Sequence, residues 1–322
     1  MPLSDLQIQR AAAGDPDALC ELDAAGLIPA PGENAEAYAA RLGRLRADLA
    51  EMESELAQAG GVKIETLRFA SADRIPDGVF AEAHEQTERM FGFRAAWVPG
   101  FYVNPRFSWL FGGCAYSFHP DLFTVFIIRH SFALRDKWFI YSRRELLAHE
   151  LCHVARTSID STRFEERFAY MTGETGFRRH VGGAFHKPSD TFLLLGSLFL
   201  LLGAQVVQAS FVERLPIWPF WGVALGVILH LSLRHIQDGR RMERALERLR
   251  LRFGEHAGAA RFRCSDAEIV ELAALPADPA GLDAWLASHA ADLRWQIILR
   301  RFTPAAATPD IHEAASGLLD RS

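Results

Sequence analysis

The sequence predicts an α+β protein: a small sheet and two active-site helices, then a two-helix membrane hairpin and a C-terminal helical module. Three observations carry this. The first is His149-Glu150-Leu151-Cys152-His153, of the form H-E-x-x-H, inside a segment with helical apolar spacing. The second is the pair of strand-like runs just before it, at 122–128 and 137–141, rich in β-branched and aromatic residues. The third is a pair of uncharged apolar runs at 191–212 and 215–233, separated only by Glu213 and Arg214.

The helix is expected from about Arg143 to Arg156. Ser142-Arg143-Arg144-Glu145 has the S-x-x-E form of a capping box. Leu146, Leu147, Leu151 and Val154 supply an apolar stripe. On such a helix His149 and His153 project from one face and reach a single metal ion, while Glu150 lies beside that face, placed to move protons. Past a polar turn, Thr162-Arg163-Phe164-Glu165 forms a second S/T-x-x-E match, which assigns Glu165 to capping and leaves Glu166 free. Glu166 is therefore the first candidate for a third ligand, ahead of Glu165. Glu166, Ala169, Tyr170 and Gly173 share a helical face whose small residues allow close approach to the first helix. Two histidines and one glutamate leave one corner of a tetrahedron open, the catalytic arrangement for zinc.

H-E-x-x-H followed on a second helix by Glu166-Arg167-Phe168-Ala169, of the form E-x-x-A, resembles the gluzincin metallopeptidases. The resemblance covers residues 122–173. It implies a zinc peptidase in which His149, His153 and Glu166 bind Zn2+ and Glu150 is the general base. The 12 residues between His153 and Glu166 resemble minimal gluzincins more than the large thermolysin-like enzymes. The membrane-bound CAAX prenyl endopeptidases and HtpX-type peptidases are similar more loosely. In those the third ligand follows the later spans, whereas here it precedes the only two. A zinc hydrolase of another bond, or a silent membrane scaffold retaining the metal fold, are the alternatives. Tyr170 is a candidate oxyanion stabiliser or a packing residue. His119, His130, His180 and His186 are further possible donors that spacing does not separate.

Each apolar run is long enough to cross ~30 Å of hydrocarbon as a helix. Pro216 and Pro219 stand at the start of the second, where a helix tolerates them, and Trp218 and Trp221 suit an interfacial belt. Gln205, Gln208 and His230 are read as polar groups of helix packing. Basic residues lie on both flanks: Arg178, Arg179 and Lys187 before, and Arg234, Arg240, Arg241, Arg244, Arg248, Arg250 and Arg252 after. By the positive-inside rule, both termini and the active site are cytoplasmic, at an inner membrane. Met242, Leu246, Leu249 and Phe253 continue the second span as a helix with arginines near anionic headgroups. Arg143, Arg144, Glu145 and Arg156 keep the H-E-x-x-H helix itself out of the bilayer.

A net charge of −5 argues against a nucleic-acid partner, leaving a peptide or protein substrate and membrane lipid. Cys20, Cys114, Cys152 and Cys264 are scattered, as in a reducing compartment, and the start of the chain reads as a polar helix rather than a signal peptide. The expected divisions are an N-terminal helical segment (1–61), a peptidase domain (62–185), the hairpin (186–235) and a C-terminal helical region (236–322). Within the first, Leu42, Leu45, Leu49, Met52 and Leu56 form a helical stripe. Residues 101–118 are aromatic and glycine-rich, suited to a core or a cleft wall. Trp285 and Trp295 are expected in the core of the last region.

Overall fold

The computed structural model describes residues 3–64, 67–104, 112–118, 123–138, 141–159 and 161–304. The architecture is α+β, mainly helical, with three small sheets among the described residues. It begins with α1 (Asp5–Ala12), α2 (Pro16–Ala24) and α3 (Ala35–Ala59). The break between α2 and α3 falls at the Pro/Gly-rich stretch around Pro29 and Gly32. The α3 stripe packs as its spacing demands: Leu42, Leu45, Leu49, Met52 and Leu56 are all buried. Asn34 caps its start. Gly60 ends it at φ +66°, a conformation that an L side chain rarely adopts.

The strands β1 (Gly61–Ile64) and β2 (Leu67–Ala70) then pair as an antiparallel hairpin and lead to α4 (Ala81–Phe91). The main sheet contains β3 (Gly100–Val103), β4 (Gly113–Phe118) and β5 (Phe123–Arg129), with β5 central, parallel to β3 and antiparallel to β4. Six successive residues of β5 are buried, Phe123 to Ile128, because elements cover both faces. The run expected at 122–128 is this strand; Leu122 lies outside the described residues. The run at 137–141 is not one strand. It holds two short antiparallel pieces, β6 (Lys137–Trp138) and β7 (Tyr141–Ser142), so the chain reverses between them. Phe139 and Ile140 lie outside the described residues. In the 101–118 segment, Phe101 and Tyr102 are core residues, and 105–111 lie outside the described part.

Helix α5 is Arg143–Arg156, the span expected, followed by α6 (Glu165–Tyr170) and α7 (Gly176–Val181). Both expected capping boxes are absent. Ser142 makes no cap bond; its hydroxyl donates to Glu174 Oε1 at 2.9 Å, and Glu145 instead pairs with Arg178 at 3.0 Å. At α6 the cap position is Phe164, and Asp266 accepts from the amides of Thr162 and Arg163 at 2.9 and 2.8 Å. A carboxylate from far along the chain has taken the place of the local side chain. Gly173 lies past the end of α6, so it does not extend the helical face of Glu166, Ala169 and Tyr170.

Two long helices follow, α8 (Pro188–Ser210) and α9 (Trp218–Phe253), packed as an antiparallel pair. Both are long and apolar enough to cross a membrane. Their outer faces are bare: Phe192 is 73% exposed and Phe199 67%. Arg234 clamps Asp190 with two bonds of 3.0 and 2.6 Å at the base of the pair, and Gln208 donates to the Leu215 carbonyl near its tip. Beyond Arg234, α9 runs on as expected. Its Met242, Leu249 and Phe253 are buried within the protein, and it packs mainly on α11 (Asp266–Ala274, after α10, Ala257–Phe262). The chain closes with α12 (Pro279–Ser288) and α13 (Leu293–Phe302), where Trp285 and Trp295 are buried edge to face at 4.9 Å.

One buried cluster runs from Leu3 to Phe302, shared by the N-terminal, central and C-terminal segments. A buried ion pair ties the two ends together, Arg263 holding Asp23 at 2.9 Å, and another lies within the C-terminal region, Arg294 holding Glu268 at 2.6 Å. On α4, burial pushes the His84 imidazole down to about 4. An unfolded histidine titrates near 6.5, so the neutral ring favours the fold above about pH 6.5, and that contribution fades as pH falls toward 4. His84→Leu is expected to flatten the fall in denaturant midpoint between pH 6.5 and 4, a term of about 2–3 kcal/mol. An unchanged slope would assign that pH dependence to other groups.

Candidate metal centre

Helix α5 is sorted by side. Leu147, Ala148, Leu151 and Cys152 are fully buried, while His149 and Glu150 border a cleft between α5, α6 and β4, and His153 is half-buried beside them. Helix α6 lies against α5 with its small Ala169 fully buried. This brings Glu166 to the two imidazoles.

The three donor groups converge. His149 Nε2 and His153 Nε2 are 3.1 Å apart, and Glu166 oxygens lie 3.6 Å from each of them. A tetrahedral ion with bonds of ~2.0–2.1 Å sets its donors ~3.3–3.4 Å apart, so one ion fits this triangle. The cluster of His149, His153 and Glu166 can therefore hold a metal ion.

Glu165, assigned to capping by its local motif, does something else. Its Oε1 lies 3.1 Å from His153 Nδ1, and its Oε2 accepts from Arg156 Nε at 2.7 Å. A carboxylate at Nδ1 fixes the proton there and leaves Nε2 with its lone pair toward the ion. The tandem Glu165-Glu166 thus divides its work: one side chain faces the metal position, the other orients a ligand. Arg156 anchors Glu165 in turn. It is buried under the Phe168 ring, 4.2 Å away, and donates to the carbonyls of Phe262 and Cys264. Sequence reasoning named both residues but missed these roles; the adjacent glutamates were the available signal.

Electrostatics separate the two histidines. Burial and the neighbouring His153 push His149 down to about 3, so it is neutral and ready to donate a lone pair. Burial also opposes charge on His153. The bond to Glu165 and the charges of Glu165, Glu150 and Glu166 outweigh it and hold the ring up at about 9. Such a surplus of negative charge suits a cation.

Glu150 is not part of the donor triangle. Its Oε2 accepts the Ala115 amide of β4 at 2.8 Å, which fixes the carboxylate at the edge of the sheet. Burial raises its proton affinity. Tyr170 stacks edge-on against His149 with 4.6 Å between ring centres, and the Gly182 backbone lies so close that an added Cβ would sit 2.2 Å from the ring. The cleft beside these groups measures about 280 Å³, bounded also by Gly113, Tyr141, Leu146 and Arg178.

The other histidines do not join the triangle. His130 is exposed and stacks edge-on against Tyr102. His180 is exposed on α7. His186 borders a neighbouring hollow with Glu166 and Tyr170 and lies 3.4 Å from Asp238. His119 lies outside the described residues. All four cysteines are free thiols, and Cys152 is fully buried in the helix core.

Comparison with protein-family models, with curated proteins and with solved structures finds no match.

Proposed function

We propose that the chain is a membrane-anchored zinc metallopeptidase of gluzincin type. One observation carries the reading. Two imidazole nitrogens lie 3.1 Å apart, each 3.6 Å from an oxygen of the Glu166 carboxylate, beside a part-buried carboxylate, Glu150, that is not one of the three. The donor set, two nitrogens and one oxygen, matches catalytic zinc sites that keep one position open.

His149, His153 and Glu166 would hold the ion, with Glu165 orienting His153. When bound there, zinc acidifies a water and polarises a substrate carbonyl. Glu150 takes the proton of the attacking water and delivers it to the leaving amine, which the opposite preference, a low-affinity exposed carboxylate, would do poorly. Ala115 keeps Glu150 aimed during this exchange. Tyr170, held against Gly182, presents its hydroxyl-bearing ring at the cleft, where it can donate to a developing oxyanion.

The two bare apolar helices support residence in a membrane, and basic residues flanking both ends support a cytoplasmic site. Every charged residue flanking or ending α5 has a partner: Arg143 with Asp136, Arg144 with Glu174, Glu145 with Arg178, Arg156 with Glu165. That network is suited to an aqueous face rather than to hydrocarbon.

The test uses the full chain in detergent. Metal analysis should return about one zinc per chain. A chelator should abolish cleavage of an unfolded protein substrate, and added zinc should restore it. Cleavage that persists in the metal-free protein would remove the reading.

A further inference from the structure

Two cavities meet where the hairpin joins the rest of the protein. The first, about 640 Å³, lies between α6, α7 and α9. Its wall is basic: Arg167, Arg179 and Arg261 border it, with Glu243 the one carboxylate among its lining residues. The second, about 340 Å³, is an apolar slot between α8 and α9, walled by Phe185, Leu194, Ile228 and Leu231. Val181, His235 and Ile236 border both, so the basic hollow continues into the slot.

Arg261 is the telling side chain. It is 2% exposed, yet its Nε has no hydrogen-bond partner. Its Nη1 donates to the Met242 carbonyl at 2.8 Å, its Nη2 reaches the Met171 thioether at 3.7 Å, and its nearest carboxylate among the described residues, Glu243, is exposed and 3.9 Å away. A buried guanidinium with a carbonyl bond but no close carboxylate is costly unless an anion completes it. Arg167 repeats the pattern: its Nη2 meets the His235 carbonyl and ring Nδ1, while its buried Nε has no partner. Gly239 leaves room for it, since an added Cβ would stand 3.3 Å from its guanidinium.

Depth identifies the kind of anion. The Arg234–Asp190 clamp marks the base of the hairpin. Residues 235–243 of α9, which border the basic hollow, lie ~2–14 Å beyond Arg234 at ~1.5 Å per residue. The polar layer on each side of the hydrocarbon is ~5–8 Å thick. The hollow therefore begins within the headgroup layer and extends a few ångströms beyond it, and the slot descends along the apolar pair toward the acyl chains.

We propose that this double cavity is a binding site for one anionic phospholipid, its phosphate held by Arg167, Arg179 and Arg261 and one acyl chain seated between α8 and α9. The inference rests on the reading of α8 and α9 as a membrane hairpin. A free phosphate would satisfy the guanidinium groups but leave the slot unexplained, and the contiguity of hollow and slot favours the lipid.

Native mass spectrometry of the full-length protein tests this, with phosphatidylglycerol and phosphatidylcholine of identical chains supplied together. The wild type should retain one phosphatidylglycerol in preference to phosphatidylcholine. Arg167→Gln with Arg261→Gln should lower that retention by about tenfold or more, the worth of one or two charged hydrogen bonds. Leu194→Trp, which fills the slot without touching an arginine, should lower it as well, so the result does not depend on one variant folding. Equal retention of the two lipids, or retention unchanged by both variants, would overturn the site. Full displacement by millimolar inorganic phosphate would also overturn it, in favour of a free anion. Flotation with vesicles of the same lipids separates the two readings: protein that floats without lipid preference refutes this site alone, and protein that does not float refutes the hairpin beneath it.

Discussion

Glu150→Gln is expected to lower cleavage by about 10²–10⁴-fold, the usual worth of a general base, while zinc content stays at the wild-type level. The geometry separates the two quantities. Glu150 is outside the donor triangle, so its charge is not needed to close the coordination shell. Among the described residues its structural contact is a bond from the Ala115 amide, which a glutamine carbonyl also accepts. The amide keeps the shape and the anchor and loses only the affinity for a proton. The measurement is kcat/KM on an unfolded protein substrate, with metal per chain determined on the same preparation. Undiminished cleavage would take the base assignment away from Glu150. Cleavage and metal lost in parallel would make Glu150 part of the metal site instead.

The core of the site was legible because it is local. Two histidines four apart on a helix face one way whatever surrounds them, and the apolar stripe that buries Leu147 and Leu151 fixes which way that is. The same holds for the hairpin, where length and lack of charge suffice. What was hidden depends on partners distant in sequence. Ser142 and Glu145 carry the letters of a capping box, yet Glu174 and Arg178, about thirty residues on, offer charged partners that a helix-end amide cannot match. Thr162 and Glu165 carry the same letters, and there Asp266 supplies the amide bonds and frees Glu165 for His153. The amide of Ala115 reaches Glu150 only because β4 pairs alongside β5 and packs against α5. The lower half of α9 shows the same limit: its stripe of Met242, Leu249 and Phe253 is visible as a helical face, but only the tertiary fold shows that α11 covers it. Periodicity names a face and not what it meets.

Glu166→Ala is expected to remove most bound zinc, and the neighbouring Glu165→Gln to weaken it without removing it. The two side chains are adjacent in sequence, so local propensity and charge are nearly matched and the contrast isolates position. Glu166 oxygens stand 3.6 Å from both ring nitrogens that face the ion, which makes them a third donor. Losing one of three protein ligands should cost more than the ~10–100-fold typical of a residue that only orients a ligand. Glu165 belongs to that second kind, touching His153 at Nδ1, on the side away from the triangle. Glutamine there is preferable to alanine, because its amide oxygen can still accept from the buried Arg156, whereas alanine would leave that guanidinium without a side-chain acceptor and blur metal loss with unfolding. Zinc affinity measured by competition with a chelator, alongside melting temperature, reads both effects. If Glu165→Gln strips the metal while Glu166→Ala retains it, the ligand and the orienting residue exchange places. If neither change matters, no carboxylate completes the site, and the two histidines alone would not support the proposed chemistry.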